Sequence, residues 1–472
     1  MLIYKQFFNA LVPLDFSESL NVKASVTLIN SCRLRGLTKT MKVAFISIPG
    51  EDYSASNLTH RWPISLWIYE VSNRIAKSHD VTVFSGLKSR NKEIVEENGI
   101  RNIKISSSLD LLITKFFKST KLANLLKLDS ALYYKSYYFK ILYHFFYIAT
   151  AALKIRKNRI DTVVVLVFPQ FVSVLRFFNR NLKIILLMQT DWLVELDTEE
   201  TKRILEKTDI ILGCSQYVTK GVQKKFPQFQ AKCFTLYNAS NSEVFDRRVL
   251  SDDPTQTIRE ELGLGNEKII LFVGRISAEK GVHVLIEAMR QVLDSEPDCV
   301  LLILGGFYPH PPSPLWLKEH NSQLNNFEVL KDGYEQYLKT LVNGMEDKVK
   351  FLGPQAHYKL PIYYATGDIF VHPAVWDEPF GMVLTEAMAS GCPVISTAAG
   401  AMPEIVVDGE TGLLVNPGDS EALADAILHL LTNEILRKRM GEAGRRRVEK
   451  EFSWENVAEN FLKIISDKSL AD

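Results

Sequence analysis

No stretch of this 472-residue chain reaches the roughly 18 consecutive apolar residues that a membrane-spanning helix needs, so the sequence predicts no such span. Cysteine is scarce. The five present, Cys32, Cys214, Cys233, Cys299 and Cys392, are odd in number and form no close pair. A disulfide framework and a cysteine-based metal site are therefore not expected. Each cysteine reads as a small buried hydrophobe, and a reducing, cytoplasmic compartment fits this usage. Net charge is only +1, without the basic excess that draws a chain to nucleic acid, and no nucleic-acid partner is expected. No Asp-x-Asp pair stands beside a strand-like run, so no metal is expected either. Residues 1–40 lack a continuous apolar segment with a small-residue cleavage site and carry Asp15 and Glu18, which makes them a poor signal peptide.

What remains is an ordinary globular composition, 46% hydrophobic and 24% charged, on a chain too long for one core, and this predicts two domains. Short apolar runs rich in Val and Ile alternate with helix-like segments. In the first half, Val43–Ile48, Val81–Ser85, Thr162–Phe168, Lys183–Met188 and Asp209–Cys214 read as buried parallel strands. In the second half, Lys268–Val273, Val300–Leu304, Val349–Leu352, Asp368–His372 and Pro393–Thr397 repeat the pattern. Two successive βαβ series imply two doubly wound α/β domains. The boundaries read as an extension at 1–40, a first domain at 41–240, a second at 241–450 and a closing helix and tail at 451–472. The extension stops just before Met41, so either Met41 is the true start or residues 1–40 are a loose extension. Phe307–Asp347 reads as a loop followed by a helix carrying Tyr334, Tyr337 and Leu338.

The richest stretch is Trp376-Asp377-Glu378-Pro379-Phe380-Gly381-Met382, running on through Glu386 to Gly391. Glu378 and Glu386 stand eight positions apart, the first on a Pro/Gly loop and the second inside the following helix. Two carboxylates at the carboxyl end of a strand lie where open α/β sheets bind ligands. The N–H groups of Phe380, Gly381 and Met382 open that helix and suit a diphosphate. Carboxylates beside a phosphate site make sense as acceptors for hydroxyls, which a sugar nucleotide carries on both sugar and ribose. The competing reading, one solvated acid and one capping acid, leaves Pro-Phe-Gly and Ala-Met-Ala-Ser-Gly-Cys-Pro unexplained. The stretch resembles the E-x7-E signature of retaining glycosyltransferases of the GT-B fold, in the large family 4 (group 1).

A second motif supports the resemblance. In Val273-Gly274-Arg275-Ile276-Ser277-Ala278-Glu279-Lys280-Gly281 a strand ends, two cations stand five apart, and a glycine opens a helix. Arg offers a planar fork and Lys a point charge to a diphosphate. The resemblance implies that Arg275 and Lys280 contact the donor diphosphate. It also implies that Glu378 contacts donor-sugar hydroxyls, that Glu386 holds the ribose, and that Phe380, Gly381 and Met382 line sugar and phosphate. The base would sit near Leu352. Glu378, Arg275 and Lys280 are the expected catalytic residues. No cofactor is implied beyond a nucleotide-diphosphate sugar, a UDP- or GDP-sugar, as co-substrate. The family also implies a last helix that returns to the first domain. Gly400–Val406 and Asp408–Val415 match it too and read as turns of the cleft wall, with Glu404 structural rather than catalytic.

The first domain departs from the family. The usual Gly-Gly loop after the first strand is replaced by Pro49-Gly50-Glu51-Asp52-Tyr53, leaving Gly50 as an acceptor-side candidate. The usual His after a middle strand is replaced by Gln189-Thr190-Asp191. Gln189 or Asp191 takes that role, or they form a turn and a helix cap. The segment 113–159 is basic and aromatic. It reads either as a face for an anionic membrane, placing the protein peripherally at the inner membrane surface, or as a packed helix with snorkelling lysines. By resemblance the acceptor is a glycan, lipid-linked or small molecule, and the reaction proceeds with retention. The alternatives are a catalytically silent sugar-nucleotide-binding protein or a GT-B-fold epimerase.

Overall fold

The structure is a computed structural model that describes residues 40–47, 49, 63–87, 93–112, 144–195, 198–249, 252–307 and 333–467. Two sheets are built. The first contains β1 (Lys42–Ile46), β2 (Asp80–Gly86), β3 (Ile94–Glu97), β4 (Ile100–Ile105), β5 (Thr162–Leu166), β6 (Lys183–Met188), β7 (Ile210–Gly213) and β8 (Cys233–Thr235), in the order β3-β4-β2-β1-β5-β6-β7-β8. All its neighbouring strands are parallel except the antiparallel pair β3–β4. The second contains β9 (Lys268–Val273), β10 (Cys299–Leu304), β11 (Val349–Gly353), β12 (Ile369–His372), β13 (Val394–Thr397) and β14 (Gly412–Val415), in the order β11-β10-β9-β12-β13-β14. It is parallel throughout.

The central strands are apolar on both faces because helices cover both sides of each sheet. All five residues of β5 and all six of β10 are buried. Each sheet reverses its winding at one point, between β1 and β5 in the first and between β9 and β12 in the second. A reversal splays the loops at the carboxyl ends of the two strands and opens a crevice there. The loop carrying Arg275 and Lys280 follows β9, and the loop carrying Glu378 follows β12.

Four strands were not anticipated. β3 and β8 are short, and β3 is a largely exposed edge. β4 mixes Arg101, Asn102 and Lys104 with isoleucines. β14 corrects the reading of Asp408–Val415 as turn alone: Gly409, Thr411 and Gly412 hide an edge strand paired with β13. Likewise Met402–Ile405 is a short helix. The helix Tyr334–Val342 carries Tyr334, Tyr337 and Leu338 as anticipated.

The last helix, Trp454–Ser466, lies on the first sheet. Trp454, Val457, Ala458, Phe461 and Ile465 share one face, at i, i+3, i+4, i+7 and i+11. They bury into one cluster with Val43, Phe45 and Trp67, with Phe461 6.0 Å from Phe45 and 6.1 Å from Trp67 between ring centroids. Ser453 caps the helix by accepting the Asn456 N–H at 3.3 Å. Lys183 Nζ donates to the Ile465 carbonyl at 2.9 Å at the other end. The chain therefore passes between the sheets twice, near 236–247 and near 452–454. The passages touch: Ser240 N–H donates to the Phe452 carbonyl at 3.1 Å.

Of the basic aromatic segment, 113–143 lies outside the described residues. Phe145–Asn158 is a helix that buries Tyr147, Ile148, Ala151, Ala152 and Ile155. Its outer face leaves Phe146 and Leu153 exposed.

Candidate active site

The site is assembled from two adjacent loops. After β9 the chain turns through Gly274, makes a single 3-10 turn at Ala278–Lys280 and enters the helix Val282–Ser295. Gly281 holds φ +70°, and a Cβ there would overlap the Pro373 carbonyl oxygen in the loop after β12. Glycine lets the two loops lie backbone against backbone. Val375 N–H donates to the Glu279 carbonyl at 3.0 Å and fixes the contact.

This approach brings Lys280 onto Glu378 as an ion pair, with both side chains 13% exposed. Oε2 of Glu378 also accepts the Trp376 indole N–H at 3.0 Å, and His372 Nε2 lies 3.8 Å from it. The Lys280 ammonium sits 5.2 Å from the Trp376 ring centroid, within cation–π range. Burial pushes the Glu378 carboxyl up, but Lys280, His372 and Trp376 outweigh it, so the group stays below its ordinary value and ionised. Burial holds His372 at about 4, neutral near pH 7. Arg275 Nη2 lies 3.6 Å from Glu279 on the same loop, with its side chain 47% exposed and so accessible to a ligand.

Glu378 leads through Phe380 and Gly381, which is left-handed at φ 84°, into the helix Met382–Ala389. The first amides of a helix have no partner inside it, which leaves this end suited to an anion. Phe380 is buried, its ring 6.3 Å from Tyr237 and 6.0 Å from Phe452. About one turn into the helix, Glu386 is buried, with Oε1 3.0 Å from His357 Nε2 and Oε2 accepting the Tyr364 hydroxyl at 3.2 Å. The hydrogen bond to Glu386 raises the His357 pKa above its ordinary value despite burial. Leu352 lies at the end of β11, its carbonyl accepting from Gln355 Nε2 at 2.8 Å. The structure thus gathers Lys280 with Glu378, and Glu386 with His357.

His357, Tyr364, His372 and Trp376 were missed by sequence reasoning. Trp376 stands two residues before Glu378 and was visible as a neighbour. His357 and Tyr364 belong to a different loop and helix, and only the fold brings them to Glu386.

On the first sheet Gln189 and Asn238 exchange amide hydrogen bonds at 3.0 and 2.6 Å. Asp191 follows in the bend after β6. Gly50 lies outside the described residues. The carboxyl ends of the two sheets meet. Glu404 accepts the N–H groups of Gln216 and Tyr217 at 2.7 and 2.6 Å, at the start of the helix Gln216–Lys225. Tyr217 Oη donates to Asp377 at 3.3 Å. Ser240 and Thr385 hydroxyls lie 2.6 Å apart.

A cavity of about 570 Å³ lies away from these loops, near the amino ends of β9, β12 and β13. Its walls are paired charges, including Arg445–Asp246 at 2.9 Å and Lys438–Glu434 at 2.7 Å, so it reads as structural. Among the described residues no group of three or more His, Cys, Asp or Glu is placed to hold a metal ion, and no helix is long and apolar enough to cross a membrane.

Two doubly wound parallel sheets meeting at their carboxyl edges, with a last helix returned to the first, define the GT-B fold of glycosyltransferases. Solved structures agree. Sucrose-phosphate synthase from Thermosynechococcus elongatus has a TM-score of 0.65 and 23% identity, over 92% of this chain and 100% of that one. HepE of Anabaena in complex with UDP and glucose has a TM-score of 0.63 and 18% identity, over 90% and 99%. Residues 254–447 match the family Glycosyl transferases group 1. It is 27% identical to spore coat protein SA of Bacillus subtilis (strain 168) over 406 residues, 85% of this chain and 93% of that protein. It is 35% identical to D-inositol 3-phosphate glycosyltransferase of Corynebacterium glutamicum (strain R) over 220 residues, 46% of this chain and 48% of that one.

Proposed function

We propose that the chain moves a sugar from a nucleoside-diphosphate donor to a hydroxyl of a glycan, lipid-linked or small-molecule acceptor, with retention of configuration. The observation that carries this reading is the largely buried Lys280–Glu378 pair beside the amino end of the Met382–Ala389 helix, with Glu386 about one turn along it. In this reading residues 41–240 form the acceptor domain, 241–450 the donor domain, and 451–472 the crossing helix and tail. Glu378 accepts from hydroxyls of the transferred sugar, and Glu386 from the ribose. Arg275, Lys280 and the amides of Phe380, Gly381 and Met382 take the diphosphate, and the base lies against Leu352. Asp191 faces the acceptor; Gln189 orients Asn238 beside it.

The chemistry is electrostatic. As the bond between the sugar and the diphosphate lengthens, negative charge grows on the departing phosphate, where Arg275 and Lys280 offset it. The acceptor hydroxyl attacks from that same face as the sugar–phosphate bond breaks and gives its proton to the departing diphosphate oxygen, which yields retention. Drawing the two sheets together excludes water, which would otherwise hydrolyse the donor. UDP- and GDP-sugars are the favoured donors, and the UDP in the Anabaena neighbour supports the former.

Peripheral contact of 113–159 with an anionic membrane belongs to the same proposal. Exposed Phe146 and Leu153 support it, as does Arg156 on the same helix. Unchanged sedimentation with anionic vesicles after Phe146→Ser with Arg156→Ser would count against it.

The test of function is thermal stability against UDP-, GDP-, ADP- and dTDP-sugars, wild type beside Glu386→Ala. A ligand that binds only the folded state raises the midpoint. The expected result is a rise with one nucleotide family that the variant loses. A rise that Glu386→Ala retains would overturn the ribose assignment.

A further inference from the structure

Around Glu378 the contacts are lopsided. Among the described residues its hydrogen-bonding and ionic partners, Lys280, the Trp376 indole N–H and the nearby His372, all converge on Oε2. A carboxylate saturated on one oxygen keeps the lone pairs of the other for a ligand. Lys280 is a shared resource, since a ligand diphosphate would compete for its ammonium. His372 is neutral and 3.8 Å away, too far for a hydrogen bond. The indole N–H is the remaining donor, and it belongs to a rigid side chain two residues from the acid it serves.

We propose that Trp376 is a positioning residue for the transferred sugar: its N–H fixes Oε2 of Glu378, turning Oε1 toward a sugar hydroxyl, while its ring face holds Lys280 alongside. Trp376 selects for the sugar rather than the nucleotide, because it acts through the acid that reads sugar hydroxyls. This inference rests on the role given above to Glu378. It assigns to Trp376 a part that neither the paired acids nor the paired cations supply.

The experiment measures binding by titration calorimetry with two matched pairs, UDP with UDP-glucose and GDP with GDP-mannose, on wild type, Trp376→Phe and Glu378→Gln. Trp376→Phe keeps an aromatic face for Lys280 but removes the indole N–H together with the pyrrole part of the ring. A hydrogen bond to a charged group is worth enough that its loss should weaken the sugar nucleotide roughly tenfold. The matching nucleoside diphosphate should stay within about twofold, and kcat/KM for the donor should fall with the sugar-nucleotide affinity. Equal weakening of both members of a pair would make Trp376 merely structural and overturn the inference. Unchanged affinity for both would overturn it as well. If Glu378→Gln also spares the sugar nucleotide, or neither pair binds wild type, the fault lies in the underlying site reading instead.

Discussion

At the scale of single residues, the buried histidines make the pH response readable. His283 and His372 are each held at about 4 by burial, against an ordinary 6.5. Between those values the unfolded chain binds protons that the folded chain does not, so stability falls as pH falls through that window and is level above it. Glu378, with a lowered pKa, adds stability that is lost only at more acid pH. His283 Nδ1 lies 2.9 Å from the Tyr334 hydroxyl. His283→Gln keeps a polar partner there without titrating. The loss of unfolding free energy between pH 7.5 and 5 should be smaller in that variant, by an amount on the order of 1 kcal/mol or more, as read from denaturant titrations at the two pH values. An equal loss in both proteins would show that the depression is not felt. Lys280→Ala removes a cation proposed to stabilise the leaving group, and kcat should fall by about 10²-fold or more in steady-state assays with the donor identified by the stability panel.

At the scale of elements, the helix Trp454–Ser466 gives the clearest expectation. Phe461 is wholly buried between Phe45 and Trp67. Phe461→Ala should cost about 3–5 kcal/mol in the first sheet's core, seen as a lowered midpoint and as faster amide exchange in β1. Unchanged exchange in β1 would show that this helix is not part of that core. The helix itself was anticipated as the closing helix that the family resemblance implies. So were the central strands, because burial on both faces demands unbroken apolar runs such as Lys183–Met188 and Lys268–Val273. The edges were not. β3 and β14 answer to one neighbour and to solvent: β3 is four residues ending in two glutamates, and β14 opens on a glycine after a turn. The site was half legible for a related reason. Arg275, Lys280, Glu378 and Glu386 fall in two contiguous motifs with recognisable spacing. His357 and Tyr364 reach Glu386 from 29 and 22 positions away, and no local pattern encodes that meeting.

At the scale of the whole molecule, Glu404 links the sheets by accepting two N–H groups at the start of the Gln216–Lys225 helix. A carboxylate at a helix amino terminus gains from both hydrogen bonds and the helix dipole. Glu404→Ala should loosen the meeting of the sheets, raising the radius of gyration in solution scattering and raising KM while the thermal midpoint changes little. A large fall in midpoint with unchanged KM would make Glu404 a simple structural cap. The two passages of chain between the sheets lie side by side, bonded from Ser240 to Phe452. Together they act as one fulcrum. Rotation there is a lever: a few degrees scarcely disturb the residues beside it, yet carry the far rims of the crevice through a much longer arc. Loops distant from the crossing can therefore open and close widely while the side chains nearest it keep their register.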